Sequence, residues 1–326
     1  MKKSAVVLIF LIFAQYANSQ RPAGTPITEI YTNFHYSIDD TAKTTGFGVE
    51  RAFFGYRFPA VNNFSAAVIV NIGAPEELAD GAKPRRLAHF REAFISYSKE
   101  KLTINLGLTK TMMADYQQKF LGKRYITDNL TSMRGYGYVS DLGLSVLYRF
   151  SDLVNADFEL MNGKGYSDIQ NDNNIKASAG LYIMTPENLA FRVFGDITRR
   201  KGLIQSTMIG FAGFKNDLIT FGAEISYKRN LGLMAGYNAW GFSATGSFYI
   251  SDKTDIFGRY DISSSVSTGN DPEGWNYLKD SNILITGIEY SFTEKIKAAL
   301  NYQGNFPHNT SKKSSDFIFL NCLYRF

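Results

Sequence analysis

The sequence predicts an all-β fold: a transmembrane, antiparallel, up-and-down β-barrel of about 16 strands. Three observations predict it. Runs of alternating apolar and polar residues recur along the chain, and the breaks between runs are short and long by turns. The chain also stops on SDFIFLNCLYRF, an alternating segment whose last residue is aromatic.

The front of the chain, MKKSAVVLIFLIFAQYANSQ, carries two lysines, an apolar run and then the small residues Ala17 and Ser19. That order is the layout of a secretory signal peptide. The run is shorter than the roughly 20 apolar residues that cross a bilayer as a helix, so it reads as a leader over 1–19 rather than an anchor. The rest, 20–326, reads as one barrel domain outside the cytoplasm.

No later stretch is apolar enough for a membrane helix, and the mean hydropathy is -0.17. A barrel strand turns only alternate residues toward lipid, so a low mean is compatible with a membrane barrel. Aromatic residues make up 15% of the chain, chiefly 26 Phe and 20 Tyr, which suits strands that end at membrane interfaces. The single cysteine, Cys322, excludes an internal disulfide and shares the apolar face of the last strand. Net charge is +5, but the basic residues are dispersed among acids with no basic helix, which argues against a nucleic-acid partner.

Period-two alternation predicts strands over 27–38, 46–58, 63–73, 86–98, 101–110, 135–150, 153–163 and 175–184. Beyond these it predicts 188–199, 204–214, 217–228, 238–250, 253–263, 281–292, 295–305 and 315–326. In KLTINLGLTK, Leu102, Ile104, Leu106 and Leu108 share one face, and Thr103, Asn105 and Thr109 the other. In GLSVLYRFSDLVNADFEL, Leu144, Val146, Tyr148 and Phe150 precede a tight turn, after which Val154, Ala156, Phe158 and Leu160 resume the apolar face. Helical spacing would scatter these residues around a circumference.

Short polar turns are predicted at 59–62, 98–101, 151–153, 185–188, 215–217, 251–253 and 293–295. Longer connections are predicted at 39–45, 74–85, 111–134, 164–174, 200–203, 229–237, 264–280 and 306–314. Short periplasmic turns alternating with longer outer loops are the pattern of outer-membrane barrels. A closed barrel has no sheet edge, so the last strand must pair with the first. Counting back by twos sets Phe326, Tyr324, Cys322, Leu320 and Ile318 on the lipid side, with Arg325, Asn321 and Asp316 assigned opposite. Tyr148, Phe150, Tyr290, Phe292, Tyr324 and Phe326 would form a periplasmic aromatic girdle, the last serving as a C-terminal assembly signal.

GFGVERAFFGYRF, HFREAFISYSKEKLTINLGLTKT and YVSDLGLSVLYRF resemble, in order, three segments of the phosphate/polyphosphate-selective porin (porin P/O) family of Gram-negative outer-membrane barrels. NGKGYSDIQND and GAEISYK echo that family further along. The resemblance implies a 16-stranded homotrimeric porin whose third loop folds into the channel. It implies outer-membrane lipid, barrel-assembly machinery and small anionic or neutral solutes as partners, and no cofactor.

The family's arginine ladder has no counterpart here. The predicted lumen wall carries Arg149, Lys176, Arg192, Lys228, Arg259, Lys297 and Arg325 against Asp141, Asp157, Glu159, Asp196, Glu224, Asp255, Asp261 and Glu289, which nearly cancel. The long segment 111–134 holds Lys119, Lys123, Arg124 and Arg134 against Asp115 and Asp128. Folded inward, it would form a mildly basic constriction; projected outward, it would be a solvated loop. The three histidines His35, His89 and His308 stand in no triad or metal spacing, and GFGVERAFFG leads into no helix, so neither catalysis nor phosphate-loop chemistry is expected. The expected function is passive diffusion of small hydrophilic solutes and ions, with a weak preference for phosphate-type anions as what the resemblance implies; the competing expectation is a structural or adhesive barrel that acts through its extracellular loops with a plugged lumen.

Overall fold

A computed structural model describes residues 23–38, 45–73, 87–166, 168–266, 274–277 and 279–326. The predicted leader over 1–19 falls outside the described residues, as does most of the connections 39–45, 74–85 and 264–280. Sixteen antiparallel strands close into one barrel in sequence order, with the last strand paired to the first. The strands are β1 Thr25–Ser37, β2 Gly46–Val61, β3 Phe64–Ile72, β4 Ala88–Lys99, β5 Leu102–Lys110, β6 Ser140–Arg149, β7 Val154–Met161 and β8 Lys176–Met184. They continue as β9 Leu189–Arg200, β10 Leu203–Lys215, β11 Ile219–Arg229, β12 Ala239–Ser251, β13 Thr254–Ser265, β14 Ser281–Thr293, β15 Ile296–Pro307 and β16 Ser315–Arg325.

Closure runs from Glu29↔Arg325 to Ser37↔Phe317. Nine residues of β1 thus pair with β16 and close the would-be edge, which is what a sheet in hydrocarbon requires. Outward residues are large and apolar: Leu320 and Tyr324 on β16 are exposed, while Asn321 and Leu323 between them are buried inside. The turn Asn62–Asn63 has both residues at positive φ (51° and 71°), the twist that a two-residue hairpin needs.

Three expectations require correction. The strand predicted from 135 begins only at Ser140, because residues 135–139 belong to the preceding connection. The connection predicted as long at 200–203 is a tight turn on Lys201 and Gly202, whose φ values of 47° and 85° let Arg200 pair directly with Leu203. Asp316 has the parity of Ile318 and lies on the outer side, where Tyr302 donates its hydroxyl to the carboxylate. Asn321 faces inward, as its parity assigned, and is buried there, accepting from Asn301 Nδ2 at 2.7 Å.

The wall is lower over β5, β6, β7 and β8, at 9, 10, 8 and 9 residues, than over the 13-residue β10, β12 and β14. The connection between β5 and β6 thus leaves the sheet well inside the ring rather than at its rim.

Candidate functional site

That connection, residues 111–139, is bonded to the inner wall along its whole course. At its start Met112 N donates to Glu159 at 2.9 Å, and Arg192 Nη2 donates to Met112 O at 2.7 Å. Met113 and Ala114 pack on Phe194 and Ile209. Helix α1, Asp115–Leu121, then lies on β8–β11: Tyr116 and Phe120 pack on Phe211, and Gln117 Nε2 donates to Glu224 at 2.9 Å. Gly122, at φ 71°, ends the helix in the left-handed cap that glycine adopts without strain.

Beyond the cap the chain reaches the opposite wall. Lys123 Nζ lies 2.7 Å from Asp255 on β13 and 3.0 Å from Glu289 on β14. Tyr125 donates its hydroxyl to Glu289 at 2.6 Å and packs edge-on against Tyr31 of β1. Asp128 accepts from Arg51 of β2 at 2.6 Å and from Arg124 at 3.2 Å, while Arg259 donates to its carbonyl at 2.6 Å. The short helix α2, Leu130–Met133, packs on β12, and Lys228 Nζ, donating to Tyr136 O at 2.7 Å, holds the return. Since β13 and β14 stand across the ring from β5 and β6, these contacts cross the interior.

Glycines on the inner face make room for the segment. A Cβ at Gly213 would come within 2.6 Å of Phe120, and one at Gly241 within 2.7 Å of Leu130. A strand glycine often marks such a close approach.

Burial alone would raise the Asp128 pKa, but Arg51, Arg124 and Arg91 outweigh it and hold the carboxyl below its ordinary value. Burial, and then the Glu289 carboxylate, push the Tyr125 hydroxyl upward, so it stays a neutral donor. Burial lowers the Arg134 guanidinium.

The predicted constriction residues therefore differ in environment. Lys119 is exposed and paired with Asp115 at 2.5 Å. Lys123 is spent on two wall carboxylates, Arg124 on Asp128, and Arg134 donates to Ser281 Oγ at 2.8 Å. Of the predicted wall residues, Arg192 forms a two-pronged pair with Asp157, Arg259 pairs with Asp261, and Lys297 lies 2.9 Å from Glu289. Glu159, Glu224 and Glu289 hold the segment, and Arg149 remains exposed. Most of the wall charge thus serves to dock the segment rather than to face solvent.

Sequence reasoning missed Arg51 and Arg91. Each lies at a β-bulge, where Tyr31 faces Arg51 but Thr32 faces Val49, and Ile69 faces Glu92 but Val70 faces Phe90. The extra residue breaks the two-residue count. Arg91 is buried over the Phe53 ring at 4.8 Å, and its Nη1 has no hydrogen-bond partner among the described residues. The opportunity for Gln117 and Tyr125 to bond the wall left no sequence signal.

Two cavities flank the segment and share Tyr31, Arg124 and Tyr125 in their linings. One extends toward Glu29 and Arg325 at the end holding the chain terminus; the other toward Asn33, Glu50 and Gln303. Near the short turns, the outward rings of Tyr148 and Phe150, and of Tyr290 and Phe292, each stand 4.9 Å apart. Tyr324 and Phe326 point outward too; Lys295 Nζ lies 5.1 Å from the Phe326 ring centroid, and Phe326 N donates to Thr28 O.

A closed barrel with an apolar outer face and a polar, partly filled interior defines the class: this is an outer-membrane, multi-pass β-barrel. Solved structures share the fold. The outer-membrane channel DcaP of Acinetobacter baumannii is similar at 12% identity and a TM-score of 0.63, over 93% of this chain and 97% of that one. OmpF of Salmonella typhi is similar at 11% identity and a TM-score of 0.69, again over 93% and 97%. OmpT of Vibrio cholerae, at 14% identity, has a TM-score of 0.66 over 94% and 99%. No family model and no curated protein matches the sequence.

Proposed function

We propose that the protein is a porin through which small hydrophilic solutes and ions diffuse passively, without a catalytic step. The observation that carries this reading is the pair of cavities that flank the docked segment and share Tyr31, Arg124 and Tyr125, one lined toward Glu29 and Arg325 and the other toward Asn33 and Gln303. A solute would pass the docked segment there, and the hydrogen bonds to β2, β7, β9, β11, β13 and β14 would keep the opening narrow. A barrel of this strand number is wide enough for an aqueous channel if not filled.

The finer reading is a weak preference for anions, the phosphate-type solutes that the family resemblance implies. Lys119 and Lys123 contribute little to it, being paired. Support comes from Arg91 and Arg124, whose guanidiniums lie over the Phe53 ring, and from Arg51, which shares the Asp128 carboxylate with Arg124. Charges in such a confined passage act on an ion at close range with little screening. The reading also includes cleavage of a leader over 1–19, assembly through the C-terminal aromatic residue, and a homotrimer.

A second reading, a structural or adhesive barrel with a plugged lumen, is favoured by the same dense docking of 111–139. Planar-bilayer recording separates the two. Stepwise conductance with a reversal potential on the anion side in a salt gradient supports the porin. Inserted, folded protein without conductance steps supports the plug.

A further inference from the structure

The outer side of β8–β11 combines a groove with a basic rim. Leu181, Val193, Met208 and Ile225 flank the groove, with Gly195 and Gly210 on its floor. Val193, Met208 and Ile225 are 60%, 67% and 60% exposed, so the barrel itself does not cover them. Nor does the barrel's packing demand the glycines: an added Cβ would find its nearest neighbour at 3.7 Å from Gly195 and 3.6 Å from Gly210, ordinary contacts. Glycine weakens a strand and is retained where something else approaches closely.

Above the groove, at the rim bearing the long connections, stand Arg199, Arg200, Lys201 and Arg229, all exposed. None is ion-paired with a described residue, although the charge of Arg200 acts on Asp172, which Lys164 already holds. No Asp or Glu occurs between Asp196 and Asp217. The two-residue turn at Lys201–Gly202 joins β9 directly to β10 and so keeps Arg199, Arg200 and Lys201 together at the rim. Along the outer face the ladder steps down from Arg199 beside Ile204, through Ser206 beside Arg229, to Gly195 beside Met208 and then Val193 beside Gly210. Arg199 and Gly195 are four residues apart, about 13 Å along a strand.

We propose that this face binds a phosphorylated glycolipid of the outer leaflet, its phosphates on Arg199, Lys201 and Arg229 and one acyl chain in the groove over Gly195 and Gly210. The groove continues the apolar outer band, and an occupant must join an unbranched apolar tail to an anionic head at this height. Basic clusters at a membrane surface select anionic headgroups.

Native mass spectrometry of the purified full-length protein in detergent, titrated with diphosphoryl lipid A, monophosphoryl lipid A and phosphatidylethanolamine, tests the proposal. The unmutated protein should bind the diphosphoryl form several-fold more tightly than the monophosphoryl form, and phosphatidylethanolamine weakest. Arg199→Ala/Lys201→Ala/Arg229→Ala should lose at least roughly tenfold in affinity for the diphosphoryl form, equivalent to a 1.4 kcal/mol change. Gly195→Leu/Gly210→Leu, which fills the groove, should also weaken it, with heat-modifiable gel mobility checking that both variants fold. Equal binding of the three lipids by the unmutated protein overturns the proposal, and needs no variant. Undiminished binding by either folded variant does the same, and a groove-filling variant that changes oligomeric state while keeping its lipid would assign the groove to a second copy.

Discussion

Lys123, carried by the segment inside the barrel, places its ammonium 2.7 Å from Asp255 Oδ1 on β13, across the ring from the strands that launch the segment. Both side chains are largely hidden, at 12% and 6% exposure, and Glu289 shares the same ammonium at 3.0 Å. Breaking a buried pair by removing one partner costs about 3–5 kcal/mol, because the remaining charge is left uncompensated. Lys123→Glu should therefore release the segment from β13 and β14. We expect larger and noisier single-channel currents and new protease cleavage within 111–139; unchanged currents with unchanged protection would refute the latch.

The inner glycines offer an independent way to lift the same segment without altering charge. Gly213→Val and Gly241→Val would each push a side chain into Phe120 or Leu130. Overpacking of this kind costs about 1–3 kcal/mol. Both should raise conductance while leaving the sign of selectivity unaltered. Gly210→Val, on the outer face, should leave conductance as it is.

Selectivity should follow Arg124 rather than Lys119. Lys119 is exposed and paired within its own helix, an arrangement worth well under about 1 kcal/mol and screened by salt. Lys119→Glu is expected to move the reversal potential slightly. Arg124→Glu, beside Arg51 and Arg91 at the lining shared by both cavities, should shift it toward cations by a much larger amount. Equal shifts from the two variants would remove the arginine group from the account.

Asp128 provides a pH dependence of known sign. Its pKa is depressed in the folded protein, so the docking it contributes is fully present above the ordinary carboxylate value, about 3.9, and is lost as pH falls through the lower folded value. This site should then hold reversal potential and conductance steady from pH 7 down to about pH 4. Asp128→Asn should strengthen anion preference at neutral pH, since it frees Arg51 and Arg124 from their carboxylate. A transition near pH 5 that disappears in Asp128→Asn would contradict this.

At the chain's end, Phe326 is exposed on the outer side, its ring beside Lys295. Phe326→Asp should reduce the yield of heat-modifiable protein in the membrane more than a charge placed at exposed Thr310 in the β15–β16 connection, because charge on the lipid side of a barrel is costly. Equal yields would remove the terminal ring from the assembly argument. Asn321 is not a suitable control: it faces inward, yet it is buried and bonded to Asn301.

The sequence by itself determined the barrel. A strand's two-residue period is local, so KLTINLGLTK and DLVNADFEL declared their inner and outer faces without knowledge of their neighbours, and turn chemistry declared where each strand stops. Charge balance along the inner wall was legible for the same reason. Tertiary structure alone decided what those charges do. Whether Lys123 is a free pore charge or a latch depends on Asp255 and Glu289, more than a hundred residues away and brought opposite it by closure. Arg51 and Arg91 entered the site through bulges, where one additional residue shifts the face of a strand and the shift is visible only in the pairing. Even the connection predicted as long at 200–203 is revealed as the tight Lys201–Gly202 turn only by the pairing of Arg200 with Leu203. Alternation is encoded residue by residue, whereas ion pairs and cavities depend on which strands the closed ring brings face to face.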